Sequence, residues 1–389
     1  TETTTVLCNI RSMPSIRCSR KPSTDSYTSV DSSNSSPKKR PMWQTILIIV
    51  GIVIFVLAFL IFLAIWVAVP IAFMQSISFQ KFIIFINIDA PKDPDYNNPQ
   101  KYGMESVVNF HITTQDLDNT TLVSIGSWMI VHEDEMDSFS SSTQSSDTAS
   151  EIVTNTKKPV IIYMHGVACN RVKPLATYKV LRKFFLVIAP DHRGYGDSGL
   201  DADLSEDGIV SDTVQLYKWV RYKTSNMIYF WGHSLGSALA THAVKILKEQ
   251  DGIIPTGLVL ESPFTTMRDE MINHPLGKIY KWLAYFNQTI LDPPERNGML
   301  FLSTTNILYV DCPIMIMHAE DDNVIPYFLG KTLAEIAKSQ RDLQTQGNVT
   351  YHQFPAVGYQ HIGITDDPNV PQHITEFMQE CVEADKGRG

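Results

Sequence analysis

Residues 227–250 read MIYFWGHSLGSALATHAVKILKEQ, and the reading of this stretch decides the fold. Its first five residues are apolar or aromatic, as in a strand buried on both faces. From Leu235 onward, Leu, Ala and Val recur at helical spacing toward a charged end. Between strand and helix stands Gly232-His233-Ser234-Leu235-Gly236, which fits G-x-S-x-G. Small residues at its ends permit a sharp turn that lifts the Ser234 hydroxyl clear of a sheet. The Leu235 N–H, at the helix N-terminus, would then face a developing oxyanion. A pentapeptide is short enough to arise by chance. Its meaning depends on whether the rest of the chain supplies a base, an acid and a second oxyanion donor.

The same rhythm extends on both sides. PVIIYMHG, FFLVIAPD, GLVLES, PIMIMHAE and VTYHQFP are apolar runs that end in turn or polar residues. Helical patterns such as IVSDTVQLYKWVRY and YFLGKTLAEIAKSQ lie between several of them, and the strand-like ESVVNFHITT and TLVSIGSWMIV come first. This alternation predicts an α/β fold, with a mostly parallel sheet and helices on both faces. Such sheets bind ligands at the carboxyl ends of their strands.

The polar residues fall at those ends. Glu320, Asp321 and Asp322 follow PIMIM, and any of the three satisfies the pattern as the acid. His361 follows the last strand and precedes a final helix expected over 371–383. The chain order is therefore serine, acid, histidine, which suits a nucleophile activated by an oriented base. His318 lies too close in sequence to the acids to be their base. His165-Gly166, after another strand, opens a loop able to present the Val167 N–H beside that of Leu235. The DHRGYGDSG loop, residues 191–199, reads as a turn braced by Arg and Asp that shapes the pocket. HIGITD (361–366) also fits an H-x4-D acyltransferase pattern, a match expected by chance among 11 histidines and 41 acidic residues.

Composition bounds the rest. The chain has 389 residues, 32 Lys and Arg against 41 Asp and Glu, and a formal charge of −9, with charges scattered rather than blocked. No basic face for nucleic acid is indicated. The five cysteines show no paired spacing, so a zinc site or dense disulfide framework is not expected; one bridge among Cys169, Cys312 and Cys381 is the most that could form. Cys8 and Cys18 would be available for palmitoylation beside a membrane. No metal or cofactor is implied, and oligomeric state is not legible. Thr1 in place of Met reads as an incomplete or processed N-terminus.

Residues 1–40 are rich in Ser, Thr and Pro, too polar to offset their ordering entropy, and are expected to be a disordered cytosolic tail. From Arg40 to Lys81 no charge appears, and TILIIVGIVIFVLAFLIFLAIWVAV (45–69) is long enough to span a bilayer, with Pro70 marking its end. Lys38, Lys39 and Arg40 predict a cytosolic N-terminus by the positive-inside rule. Asn119, Asn287 and Asn348 are glycosylation candidates beyond this segment; one further sequon, at Asn34, precedes it. Residues 76–102 are expected to be membrane-proximal, with 76–90 either a packing or strand segment or an interfacial stretch. The catalytic domain is expected over 103–389, with a serine-rich insertion loop at 133–158 and a lid region at 264–308.

YMHG, DHRGYGDS, WGHSLG, LESPFT, NHPLGKIYKW, FLSTTNILYVDCPIMIMHAEDDNVIP and GYQH occur in one order between about residues 100 and 380. Together with a single N-terminal anchor they resemble the α/β-hydrolase domain-containing protein 12 family of membrane serine hydrolases. The resemblance implies the α/β-hydrolase fold, a lipid substrate, and hydrolysis of lysophosphatidylserine-like lysophospholipids or monoacylglycerols. It also implies an endoplasmic reticulum location with a lumenal catalytic domain, or alternatively a plasma membrane location facing outward. By motif the nucleophile is Ser234, the base His361 and the acid Asp322, with Asp321 the nearest alternative. The oxyanion donors are Leu235 and Val167, and the expected pocket residues are His165, Gly166, His233, Tyr280, Trp282 and Phe286. The sequence departs from the family pattern at HGVACN, at the short FPAVGYQH and at the serine-rich insertion. A thioesterase or peptidase of the same fold, or a non-catalytic tethered binding protein, is the alternative function.

Overall fold

A computed structural model describes residues 39–137, 145–200, 202–342 and 344–388. The tail, with Cys8, Cys18 and Asn34, and residues 138–144 of the serine-rich stretch lie outside the described residues.

Among the described residues eight strands form one sheet: β1 Val107–Gln115, β2 Leu122–Ile130, β3 Val160–Met164, β4 Leu186–Pro190, β5 Ile228–His233, β6 Gly257–Glu261, β7 Ile314–Ala319 and β8 Val349–Phe354. Their order is β1-β2-β4-β3-β5-β6-β7-β8. Only β2 runs against its neighbours; every other pairing is parallel. The main helices are α1 Met42–Gln75, α2 Ile77–Phe85, α3 Ser146–Asn155, α4 Leu175–Leu181, α5 Glu206–Lys223, α6 Leu235–Asp251, α7 Met267–Asn273, α8 Pro275–Tyr280, α9 Tyr327–Gln340 and α10 Val370–Arg388.

The continuous apolar runs of β3, β5, β6 and β7 follow from burial on both faces. Successive side chains of β5 enter different cores: Ile228 and Phe230 join one cluster, Tyr229 and Trp231 the other. The two-residue period of a strand thus divides one apolar run between two layers of helix.

By its contacts the chain divides into Thr1–Phe59 and Leu60–Gly389. The first unit's described part is helical from Met42 onward, and Met42–Leu63 buries no residue. Within Met42–Gln75 the structure has one helix long and apolar enough to cross a membrane. Contrary to expectation, Pro70 does not end it. A π-helical turn at Ala64–Ala68 carries the backbone past the proline. The missing Pro70 N–H leaves the Trp66 carbonyl without its helical donor, and the Tyr285 hydroxyl donates to it at 2.5 Å.

Of the readings left open for residues 76–90, the strand is excluded: 77–85 are a helix, capped by Ser76, whose Oγ accepts from the Phe79 N–H at 3.2 Å, with Gln80, Ile84 and Phe85 buried. One other expectation is corrected. Part of the serine-rich insertion is α3, which packs against β1. Ser145 caps it, and Ala149 and Val153, four residues apart, supply a buried face that a loop would not need. Cys169, Cys312 and Cys381 are buried, and no disulfide joins them.

Candidate active site

Ser234 stands between β5 and α6 with φ 53° and ψ −122°, a conformation that L-residues rarely hold. The flanking glycines are required by contact. A Cβ on Gly232 would lie 2.4 Å from the Gly236 carbonyl oxygen, and one on Gly236 would lie 2.1 Å from that of Met164. The Ser234 N–H is held by the Glu261 carbonyl at the end of β6 (2.9 Å), which fixes the elbow to the sheet. The Glu261 side chain is buried and accepts from Trp231 Nε1 at 2.8 Å, and burial raises its pKa.

Asp322 follows β7. Its Oδ1 accepts from the N–H groups of Val324 and Ile325, both at 2.9 Å. Its Oδ2 accepts from His361 Nδ1 at 2.8 Å, while His318 Nε2 approaches it at 3.2 Å and donates to the Ile325 carbonyl at 2.9 Å. Burial by itself would raise the Asp322 pKa, but the hydrogen bonds from His318 and His361 outweigh it and hold the carboxyl well below the carboxylate range. With Nδ1–H committed to Asp322, the basic lone pair of His361 is at Nε2. His233 Nε2 donates to the His361 carbonyl at 2.9 Å, and the two rings lie 4.9 Å apart. The loop carrying His361 therefore rests against the residue preceding Ser234. The Ser234 hydroxyl makes no hydrogen bond of its own among the described residues. Nucleophile–base contacts in unliganded sites are often long and close only with substrate bound.

The two aspartates have separate positions. Asp321 accepts from the Gly358 and Gln360 N–H groups at 2.7 and 3.0 Å, bracing the loop before His361, while Asp322 touches the ring.

Val167 follows β3 in a loop that packs on the elbow: a Cβ on Gly166 would lie 3.0 Å from Ser234 Cβ. Val167 and Leu235 both line a cavity of about 250 Å³ that contains Ser234. Leu235 is the first residue of α6, so its N–H has no partner within the helix.

The loop of residues 191–199 is the expected braced turn. The wholly buried Arg171 guanidinium bonds Asp191 (2.5 Å), Asp197 (2.7 Å) and Asn109 (2.9 Å). Arg193 pairs with Asp212 and Asp116 at 2.7 and 2.6 Å. Burial pushes the Asp191 carboxyl up to about 6 against the opposing pull of Arg171. The rings of His165 and of His192, which belongs to this loop, lie 4.0 Å apart and tilted by 35°, and burial lowers the pKa of both.

Of the six expected pocket residues, only Tyr280 lines the cavity. His165, Gly166 and His233 support the loops around it instead. Phe286 is buried in the core. Trp282 is 62% exposed, with its ring 6.4 Å from that of Trp66. The residue types were suitable, but sequence did not show which way each side chain faces. The cavity wall is supplied mainly by α7, α8, the last turns of α1, and α2. Its carboxyl group is Glu270, which burial pushes up to about 8. Asn119, Asn287 and Asn348 are exposed. Among the described residues no cluster of His, Cys, Asp or Glu is placed to hold a metal ion.

Residues 155–306 match the family model described as serine aminopeptidase, S33. The chain is 36% identical to lysophosphatidylserine lipase ABHD12 of Xenopus tropicalis over 330 residues, covering 82% of each chain. It is 33% identical to lysophosphatidylserine lipase ABHD12 of Danio rerio over 326 residues, covering 82% of this chain and 81% of the relative. Among solved structures, an esterase of Pyrococcus furiosus superposes with a TM-score of 0.49 at 17% identity, covering 73% of this chain and 93% of the esterase.

Proposed function

The chain belongs to the lysophosphatidylserine lipase ABHD12 family of hydrolases, and from that premise we propose that it cleaves carboxylic esters of lysophospholipids, lysophosphatidylserine among them, and of monoacylglycerols. The observation that carries this reading is the meeting, at one set of strand ends, of the strained Ser234 elbow, the Asp322–His361 pair and an apolar cavity.

In this mechanism His361 Nε2 takes the Ser234 proton as Oγ attacks the ester carbonyl. The imidazolium is stabilised by the Asp322 carboxylate, and the oxyanion is held by the Leu235 and Val167 N–H groups. The tetrahedral intermediate collapses as His361 returns its proton to the departing glycerol oxygen, leaving an acyl-serine. Water, activated by the same histidine, then releases the fatty acid. Asp322 is the orienting acid, and Asp321 positions the loop.

The helix within Met42–Gln75 is the membrane anchor, with Lys38, Lys39 and Arg40 on the cytosolic side and the catalytic domain in the lumen of the endoplasmic reticulum. A plasma membrane location facing outward is the alternative. Glycan mapping tests the orientation: sugar on Asn119, Asn287 or Asn348 is expected, and sugar on Asn34 alone would reverse it.

The activity is tested by turnover of a panel of lysophospholipids and monoacylglycerols by the full-length protein and its Ser234→Ala variant. The expected loss is at least about 1,000-fold. Undiminished turnover by the variant would remove Ser234 from the mechanism.

A further inference from the structure

The last turns of α1 and the helix that follows it enter the site. Val69, Phe73, Phe79, Ile83, Ile84 and Ile86 line the same cavity as Ser234. Phe73 and Ile84 are buried, Phe79 and Ile83 half-buried. The opposite wall includes Met267, Met271, Tyr280 and Ile290. A polar headgroup would find few partners along this surface, whereas an acyl chain needs none.

A separate set of polar contacts fastens this segment to the catalytic loops. The Ile86 carbonyl, at the end of α2, accepts from the Ala168 N–H at 2.9 Å, one residue past the oxyanion donor Val167. Both Ile86 (φ 37°) and Ala168 (φ 47°) are held in the left-handed region. A β-branched residue rarely takes that conformation, and it persists where its surroundings fix it. The Tyr195 hydroxyl donates to the Phe85 carbonyl, and Asn87 Nδ2 donates to the Gly194 carbonyl at 3.1 Å. On the other side, Gln80 Nε2 donates to the Phe73 carbonyl at 2.7 Å, and Asn297 Nδ2 donates to Gln80 Oε1 at 2.6 Å. The segment is therefore joined both to the oxyanion loop and to the chain that forms the facing wall.

We propose that five residues of the segment 69–86 belong to the substrate site: Phe73, Phe79, Ile83 and Ile84 form the wall along which the substrate's acyl chain lies, and the Ile86 carbonyl positions the oxyanion loop. The inference rests on the ester-lipase function proposed above. The membrane-proximal segment then sets acyl-chain selectivity as well as location. The positioning role concerns the backbone at Ile86, while selectivity is read through side chains.

The test uses full-length protein in detergent micelles and a series of monoacylglycerols of increasing chain length, with p-nitrophenyl acetate as an ester too short to reach the wall. Ile83→Trp, which fills the cavity, is expected to lower kcat/KM for an eighteen-carbon chain at least about tenfold more than for the acetate ester, moving the preferred length downward. Phe79→Ala, which widens the cavity, is expected to move it upward. Phe82→Ala alters the exposed face of the same helix (Phe82 is 49% exposed) and is expected to leave the chain-length profile unchanged. If Ile83→Trp proves generally inactive, Phe79→Ala decides alone. An unshifted profile in Phe79→Ala, or an equal shift in Phe82→Ala, overturns the inference. Failure of the wild-type protein to cleave any of the lipids would instead overturn the lipase function on which it rests.

Discussion

The two sides of the Ser234 cavity are built on different principles. On the strand-end side, the base and the acid have fixed partners: His361 is held by Asp322 at 2.8 Å and His233 at 2.9 Å, and Asp322 also by two backbone N–H groups. On the far side, the cavity is walled largely by aliphatic and aromatic side chains from segments about two hundred residues apart in sequence. The first side specifies a reaction, because hydrogen bonds and charge fix angles and protonation states. The second side excludes water and selects by shape, because packing is non-directional. Substitutions on the strand-end side should therefore alter rate on every substrate. Those on the apolar side should alter which substrate is preferred, or stability.

The largest difference lies between the two neighbouring aspartates. Asp322→Asn removes the charge that orients and stabilises the His361 imidazolium and is expected to lower kcat about 1,000- to 10,000-fold on long- and short-chain esters alike. Asp321→Ala loses only the brace on Gly358 and Gln360 and is expected to cost about tenfold through misplacement of His361. Steady-state kinetics on both ester lengths measures the pair. Equal losses would assign the acid role to neither aspartate alone.

The smallest expected effect belongs to the apolar side. Glu270 faces the cavity with its carboxyl pushed from the ordinary 4.5 to about 8 by burial. Between those pH values the folded protein retains a proton that the unfolded chain has released. Stability therefore falls as pH rises through this window and levels off above about 8. Glu270→Gln should remove that slope, raising Tm at pH 8 by about 2–4 °C with little gain at pH 4.5. Thermal unfolding across this pH range reads it directly. A Tm difference that does not grow with pH would mean that the carboxyl is ionised in the folded state.

The contrast also explains what was legible in the sequence. The sheet could be read because buried parallel strands leave uninterrupted apolar runs, as in β3, β5, β6 and β7. Ser234, the acidic cluster and His361 could be read because the fold gathers strand ends, and strand ends are visible as the points where apolar runs stop. The identity of the acid could not be obtained from spacing: Asp321 and Asp322 differ only in where the turn after β7 aims them, toward a backbone or toward a ring. The cavity wall was least legible. An aromatic residue between 264 and 308 has the same sequence signature whether it faces the cavity, as Tyr280 does, the core, as Phe286 does, or solvent, as Trp282 does. Residues 77–85 lacked a polar face to mark them as an amphipathic helix, since the apolar Ile77 and Phe82 lie on its exposed side. The helix continues past Pro70 where Tyr285, more than two hundred residues away, supplies a donor to the Trp66 carbonyl, a partner that local sequence does not show.

The most direct measurement of the central claim is mass spectrometry of the full-length protein, acid-quenched during turnover of lysophosphatidylserine. The mechanism predicts a fatty-acyl adduct on the peptide containing Ser234, absent from Ser234→Ala and accumulating when deacylation is slowed. An adduct on another residue, or turnover retained in Ser234→Ala, would contradict it.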